Sequence, residues 1–304
     1  MNPIMIPFAK GEARLDWLEL TEALAEGHRL SLCGLGDTFL YRDKDTILSR
    51  AAIIDGLGAL VKTATVFPGN PARGKPVVNG AVSLFSDSTG ELEALIDFHL
   101  VTKWKTAGDS LLAARRLARP DARRILIVGA GTVGRSLRAA YGAAFPGARF
   151  TIWNRSPEAA RAFAAEFPDT EPATDLETAV RGVDIVTSAT MTTQPLIKGD
   201  WLQPGQHIDL IGAYRPDMRE ADDAALMKAR LFVDARATTL HHIGELKIAL
   251  DQGVITESDV VADYGDLQTG AFARKSDDEI TLFKNGGGAH LDLMTARYIL
   301  SKWA

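Results

Sequence analysis

A short apolar run, Ile125-Leu-Ile-Val128, passes directly into Gly129-Ala-Gly131-Thr-Val-Gly134 and then into a helical stretch, Val133 to Ala144. In such a pattern the first glycine permits a tight turn after a strand, the second lets backbone approach a pyrophosphate, and the third lets the helix pack closely on the strand. The phosphates then sit at a helix N-terminus, where free N–H groups and the helix dipole favour anions. Alone the pattern is weak, an ordinary tight turn being the bland alternative. Here the strand before, the helix after and a second strand, Arg149-Phe-Thr-Ile-Trp153, at βαβ spacing all agree. Gly129, Gly131, Thr132, Val133 and Gly134 are therefore expected to form a dinucleotide-binding turn.

The end of the second strand bears on which dinucleotide. An NAD site usually carries Asp or Glu there to hold the ribose 2′-hydroxyl. This chain has Asn154-Arg155-Ser156. A carboxylate would repel a 2′-phosphate, whereas Asn154 and Ser156 can hydrogen-bond it and Arg155 can add a charge-assisted contact. NADPH is the expected cofactor, with NADH possible; a solvated surface arginine is the alternative reading of Arg155.

On either side of Pro120 the chain changes character. Before it, β-branched runs alternate with turn residues: Thr46–Arg50, Leu60–Val66, Val77–Phe85, a hairpin turn at Asp87–Gly90, and Leu92–Asp97. These predict an antiparallel sheet. After it, apolar strands at Arg124–Val128, Arg149–Trp153, Asp184–Ser188, His207–Ile211 and Leu231–Asp234 alternate with helices, among them Pro157–Phe167 and Glu220–Ala229. That grammar predicts a parallel sheet covered on both faces. From Glu279, Ile280–Phe283, a glycine run and a terminal helix from about Leu291 return to the earlier style. The expected fold is α/β, with a Rossmann domain (119–278) inserted into a discontinuous α+β substrate-binding and dimerisation domain (1–118 and 279–304).

Composition narrows the function. Lys and Arg number 34 against 39 Asp and Glu, a net charge of −5 that argues against nucleic-acid or anionic-membrane partners. The longest stretch without a charged side chain, Ile185–Ile197, has 13 residues, whereas a spanning helix needs about 20 apolar ones. No export signal is apparent at the N-terminus, so a cytoplasmic address is expected. The single cysteine, Cys33, excludes an intrachain disulfide and is expected to be a small buried residue. The pair His241-His242, at an expected helix start, is read as structural, and no metal site is expected.

Cations in strand and helix contexts remain to be explained. Arg50 ends a strand-like run, Lys62 interrupts Leu60–Val66, and Lys103 and Lys105 flank Trp104 before a helix. Strand alternation would put Lys62 on one face with Leu60 and Ala64. A lysine there costs free energy unless it is paired or does chemistry. Cations converging on a pocket suit a substrate carboxylate, and a desolvated lysine is suited to proton transfer. Snorkelling side chains on a solvated sheet edge are the alternative.

Six segments together resemble the ornithine cyclodeaminase and mu-crystallin family over nearly the whole chain: Val78–Ser86, Thr102-Lys-Trp-Lys-Thr-Ala107, Ile127–Gly134, Asp184–Thr190, Ile211-Gly-Ala-Tyr-Arg-Pro-Asp-Met-Arg-Glu220 and Ile280-Thr-Leu-Phe-Lys-Asn-Gly-Gly-Gly-Ala289. The resemblance implies a homodimer with a Rossmann domain and a second domain that dimerises and holds substrate. Family activities include cyclodeamination of ornithine or lysine, alanine dehydrogenation and imino-acid reduction; the mu-crystallin branch also binds thyroid hormone. Arg50 and Lys62 match the family's carboxylate-binding arginine and lysine. Lys105 stands where the family carries a third arginine, keeping the charge but losing the bidentate fork. Tyr214 replaces the aspartate with which cyclodeaminases handle amino groups and water, and Met218 replaces their following lysine.

Both losses point from deamination towards hydride transfer to a C=N bond. The resemblance then implies reduction of a cyclic imino acid, best Δ1-pyrroline-2-carboxylate to L-proline, with a piperideine analogue fitting the same logic. Arg50 and Lys105 would fix the carboxylate and Lys62 would share that role or keep the imine nitrogen protonated. Thr190 and Met191 would border the nicotinamide, Tyr214 would face substrate, and Asp292 would orient Lys62 or the substrate, a helix cap being its plain alternative. An ornithine cyclodeaminase, an acyclic imine reductase of the alanine dehydrogenase or iminosuccinate reductase type, and a non-catalytic NADPH-dependent binder are the other readings.

Overall fold

The computed structural model describes residues 2–303, in two compact units: 1–105 with 288–304, and 106–287. In chain order the first unit holds β1 (Ile4–Ile6), α1 (Phe8–Glu12), α2 (Trp17–Gly27), β2 (Leu32–Arg42), β3 (Asp45–Ile54), β4 (Gly58–Val66), β5 (Val78–Phe85) and β6 (Leu92–Asp97). Helix α3 (Phe98–Leu117) is continuous through the border between the units. The second unit continues with β7 (Arg124–Val128), α4 (Thr132–Ala144), β8 (Arg149–Trp153), α5 (Pro157–Glu166), β9 (Thr170–Pro172), α6 (Leu176–Arg181), β10 (Ile185–Ser188) and β11 (His207–Leu210). It ends with α7 (Asp223–Lys228), β12 (Arg230–Val233), α8 (Arg236–Thr239), α9 (Gly244–Asp251), β13 (Val260–Ala262) and β14 (Thr281–Lys284), before α10 (Ala289–Trp303) returns to the first unit.

In the first unit the sheet order is β1-β6-β5-β4-β3-β2. Its four consecutive hairpin pairings are antiparallel, but β1 joins β6 in parallel, so the sheet is mixed rather than purely antiparallel. The expected hairpin turn closes through Ser86 N–H to Glu91 O and Gly90 N–H to Ser86 O, with Gly90 at φ 69°. Along β4 every second residue from Gly58 to Ala64 is buried, the period of two that a half-covered strand imposes. Helix α10 covers that face of β3 and β4. Strand β2, which no sequence pattern marked, is exposed along its whole length and forms the sheet edge. Cys33 lies on it and is exposed, not buried as expected, like every other residue of this edge strand.

In the second unit eight parallel strands run in the order β13-β12-β14-β11-β10-β7-β8-β9. Near-continuous apolar strands such as Ile125–Val128 and Ile185–Val186 are fully buried, as helices on both faces of a parallel sheet require. Three expectations are corrected here. Ile280–Phe283 does not return to the first domain: it lies in β14, paired in parallel with β11 and β12. Accordingly the expected borders at 118/119 and 278/279 differ from the compact units, which meet at 105/106 and 287/288. Within Glu220–Ala229 only Asp223–Lys228 is helical, because Asp222 accepts from Ala225 N–H and starts the helix there. His241-His242 follows α8 in a turn and does not begin a helix; His241 pairs with Glu257 at the surface. No described helix is long and apolar enough to cross a membrane.

Candidate active site

Register places the cations of the first unit. Asp37 on β2, Arg50 on β3 and Lys62 on β4 stand directly opposite one another across the sheet. Like charges on directly opposed strand positions repel, so Arg50 beside Lys62 requires anions. Two are present. Arg50 Nη2 meets Asp37 Oδ2 at 2.8 Å, and Lys62 Nζ donates to Asp292 Oδ1 at 2.8 Å. Asp292 sits within the first turn of α10 and is fully buried; its carboxylate is spent on Lys62 rather than on capping. Lys62 Nζ also lies 4.9 Å from the centre of the Phe98 ring, within cation–π range.

Lys105, at 8% exposure, completes the cluster: its charge and that of Arg50 act on both Lys62 and Asp292. Burial pushes the Lys62 ammonium pKa down against the pull of Asp292, and the neighbouring cations push it further. Burial pushes Asp292 up, but Lys62, Lys105 and Arg50 outweigh it and hold the carboxyl below its usual range. Three cations against two carboxylates leave one positive charge. Buried polar atoms without a protein partner remain as well, Arg50 Nε and Asp292 Oδ2. Such a cluster suits one carboxylate ligand bearing a further polar group.

The second unit presents the glycine turn at the C-terminal ends of its strands, beside the switch point between β7 and β10 where open α/β sheets bind ligands. Gly129 has φ +113°, and a Cβ there would meet Ala189 O at 2.7 Å. A Cβ on Gly134 would strike Gly129 O at 2.1 Å, whereas one on Gly131 would project into open space. Gly131 precedes α4 without a side-chain cap, and the first turn, containing Thr132 and Val133, carries no acidic residue. A close turn, an open cradle and an uncapped helix start fit a dinucleotide pyrophosphate.

Of the residues expected at a 2′-phosphate, two are engaged locally. Asn154 Oδ1 accepts from Ala130 N–H, bracing the glycine turn. Ser156 Oγ donates to Glu158 and accepts from Ala159 N–H as the cap of α5. Arg155 is exposed. Met191 and Tyr214 are also exposed, at 74% and 58%, on the loops after β10 and β11. The Thr190 hydroxyl is used internally, donating to Glu220 Oε1 at 2.8 Å.

Several buried polar residues of this unit carry no signal in the sequence. Asp234 accepts from Thr239 Oγ1 and from the N–H groups of Gly286 and Gly287, so these glycines serve a carboxylate of their own unit. Lys284 is fully buried, donating to Leu210 O at 2.9 Å and Asn285 O at 2.8 Å. A cavity of about 730 Å³ opens beside Arg124, Arg138 and Arg149, away from the glycine turn. Arg124 is paired with Asp184, and Arg138 stacks 3.8 Å over Phe150 while donating to Thr170.

The family model described as ornithine cyclodeaminase/mu-crystallin matches residues 53–304. The chain belongs to this family. It is 50% identical over 303 residues to a Δ1-pyrroline-2-carboxylate reductase from Paracoccus denitrificans, covering 98% of this chain and 96% of the relative. Among solved structures it resembles the Δ1-pyrroline-2-carboxylate reductase of Thermococcus litoralis in complex with NADH and L-proline: TM-score 0.89, 26% identity, 98% of this chain and 97% of the other covered. An archaeal alanine dehydrogenase dimer with bound NAD gives TM-score 0.89 and 28% identity, covering 99% of this chain and 96% of the other. A nicotinamide dinucleotide cofactor is thus supported for this member of the family.

Proposed function

We propose that this family member reduces Δ1-pyrroline-2-carboxylate to L-proline with a nicotinamide dinucleotide, and that the same groups accept the six-membered piperideine analogue. The observation that carries the reading is the cluster of Arg50, Lys62 and Lys105 against Asp37 and Asp292, with one positive charge left for a single substrate carboxylate. Half-identity over 98% of the chain to a reductase of that name supports it. Tyr214 at the position of the cyclodeaminase aspartate argues against a hydrolytic course, since a phenol is not a carboxylate base at neutral pH.

Arg50 and Lys105 hold the carboxylate, which fixes the plane of the adjoining C=N bond. Lys62, held by Asp292, keeps a proton at the imine nitrogen and so makes the carbon electrophilic. The bound reduced nicotinamide supplies the hydride. Gly129, Gly131, Thr132, Val133 and Gly134 would hold its pyrophosphate, with Asn154 bracing the turn. Arg155 would meet a 2′-phosphate and so favour NADPH over NADH, Met191 and Thr190 would flank the nicotinamide, and Tyr214 would meet the substrate.

The assembly is a homodimer built on the exposed apolar edge of the first unit, where Leu35, Phe39, Leu40 and Tyr41 of β2 and Ile47 and Ile53 of β3 are all exposed. Such an edge promotes pairing unless another chain covers it, and the related alanine dehydrogenase is a dimer. The test is NADPH and NADH oxidation with Δ1-pyrroline-2-carboxylate, its piperideine analogue, iminosuccinate and pyruvate plus ammonia, comparing kcat/KM. The cyclic imines should lead; ornithine turnover releasing ammonia would replace this reading with cyclodeamination.

A further inference from the structure

Three loops follow adjacent strands of the parallel sheet: 129–131 after β7, 189–192 after β10 and 211–214 after β11. They approach at backbone distance, for a Cβ on Gly129 would meet Ala189 O at 2.7 Å and one on Gly212 would meet Thr190 O at 2.0 Å. The second and third loops are tied by one side chain. Glu220, fully buried, accepts at Oε1 from Ser188 Oγ (2.6 Å), Thr190 N–H (2.8 Å) and Thr190 Oγ1 (2.8 Å). At Oε2 it accepts from Gly212 N–H (2.5 Å) and Ala213 N–H (3.3 Å).

The residue is itself held. Glu245, also buried, accepts from the backbone N–H of Glu220 at 2.8 Å and of Ala221 at 2.9 Å. Lys284 supplies the positive charge facing both carboxylates while clamping the ends of β11 and β14 through Leu210 O and Asn285 O. A carboxylate with five donors converging on its two oxygens is a rigid bolt, because a fully satisfied buried network has one low-energy arrangement. Loop ends could be satisfied separately by water or turns. Here one group spans both.

We propose that Glu220 is a positioning residue for the nicotinamide: it sets the spacing of the 189–192 and 211–214 loops, which wall the nicotinamide half of the dinucleotide site. This rests on the reading that Thr190 and Met191 border that ring. The glycine turn, which holds the pyrophosphate, makes no hydrogen bond to Glu220. The two halves of the cofactor should therefore respond differently to its loss.

The variant is Glu220→Gln, which places an amide N–H₂ against donors that need an acceptor. Dissociation constants are measured by fluorescence titration for NADPH and NADH, and by competition for ADP-ribose, which lacks the nicotinamide. E220Q should weaken binding of both reduced dinucleotides about tenfold, the effect of removing one charge-assisted member of a hydrogen-bond network, and leave ADP-ribose within about twofold. Ser188→Ala, which removes one donor and leaves the carboxylate, should show the same pattern more weakly and guards against an E220Q chain that does not fold. Asp209→Asn, a change at another buried carboxylate of the same sheet, should alter none of the three. Equal losses for dinucleotides and ADP-ribose in both E220Q and S188A would mean general loosening and overturn the proposal. No change in either variant would overturn it too. If the unaltered protein binds NADH no better than ADP-ribose, the loops do not wall the nicotinamide, and the underlying reading falls with the proposal; cyclic imine reduction would stand or fall separately in the substrate panel.

Discussion

Lys62 and Asp292, 230 residues apart in sequence, form a buried ion pair with Nζ 2.8 Å from Oδ1, joining the central strand β4 to the helix α10 laid over it. Breaking such a pair by removing one partner costs about 3–5 kcal/mol, because the other charge is left buried alone. Lys62→Met and Asp292→Asn should each lower the melting temperature. The double variant should regain most of that stability while activity stays about 10²–10⁴-fold down, the range for loss of a positioned proton donor. Thermal unfolding and kcat on the three variants decide it. A double variant as active as the parent would remove Lys62 from the chemistry.

Arg50 and Lys105 are separable by geometry. Arg50 is shared with Asp37 across the β2–β3 pair, whereas the buried Lys105 acts on Asp292 and Lys62 through its charge. Lys105→Met should raise KM for the imine about tenfold or more, given about 1.5–3 kcal/mol per hydrogen bond to a charged group. Lys105→Arg restores the charge and should recover most of that loss. Failure of arginine to rescue where methionine is defective would show that the site demands the compact ammonium.

Arg155 is exposed where Asn154 and Ser156 are committed to the glycine turn and the α5 cap. It is thus the residue of the trio left to meet a 2′-phosphate. If Arg155 meets the 2′-phosphate as proposed, Arg155→Asp should reduce kcat/KM for NADPH by at least about tenfold, because a carboxylate would repel the phosphate where a guanidinium would bind it, while NADH changes little. Equal losses with both cofactors would dismiss the idea of a 2′-phosphate partner. Glu158, accepting from Ser156 Oγ at 3.0 Å, places a carboxylate in the same neighbourhood, and Glu158→Gln should raise NADPH use.

Legibility follows how local the cause is. Lys62 on the buried face with Leu60 and Ala64 is readable because a strand's period of two needs no partner to be recognised. The glycine turn is readable because its strand, turn and helix are contiguous. Strand β2 is not: exposed on both faces and interrupted by Gly34 and Gly36, Leu32–Arg42 shows no alternation for burial to impose. Nor is the place of β14, since Ile280–Phe283 as an apolar run does not say which sheet it joins; parallel partners are chosen by tertiary packing. Glu220 ends a family-like segment beside Arg219, where a charged pair reads as a helix start. Its burial against Ser188, Thr190 and Gly212 comes from residues far apart in the chain.

The edge of the first unit makes its own prediction. Phe39 and Tyr41 on β2 stack at 6.3 Å between ring centres while remaining 49% and 74% exposed. Two such rings on one face of the strand with exposed Leu35 form a patch that a stable dimer would bury. Phe39→Asp combined with Tyr41→Asp should give a monomer by light scattering, with dinucleotide affinity retained, since the glycine turn belongs to the other unit. An unchanged dimer would move the interface elsewhere.

Asp209 gives the protein a pH-dependent stability whose sign can be worked out. Burial raises its carboxyl pKa from 3.8 to about 6, against the pull of hydrogen bonds donated by Thr187, Tyr141 and Ser110. In the unfolded chain the group loses its proton near pH 4, whereas the folded chain keeps it until about pH 6. Between those values the folded state binds more protons, so stability falls as pH rises through the window and levels off above it. The difference of about two units corresponds to about 3 kcal/mol at 1.36 kcal/mol per unit. Asp209→Asn mimics the protonated form, and the three surrounding hydroxyls can turn to donate or accept as needed. Denaturant unfolding at pH 4, 5, 6 and 7 should therefore show the variant gaining on the parent across the window, by up to about 3 kcal/mol at pH 7. A constant difference between the two proteins at all four values would mean that Asp209 is ionised throughout the folded state, its charge carried by the hydroxyls and by Lys284.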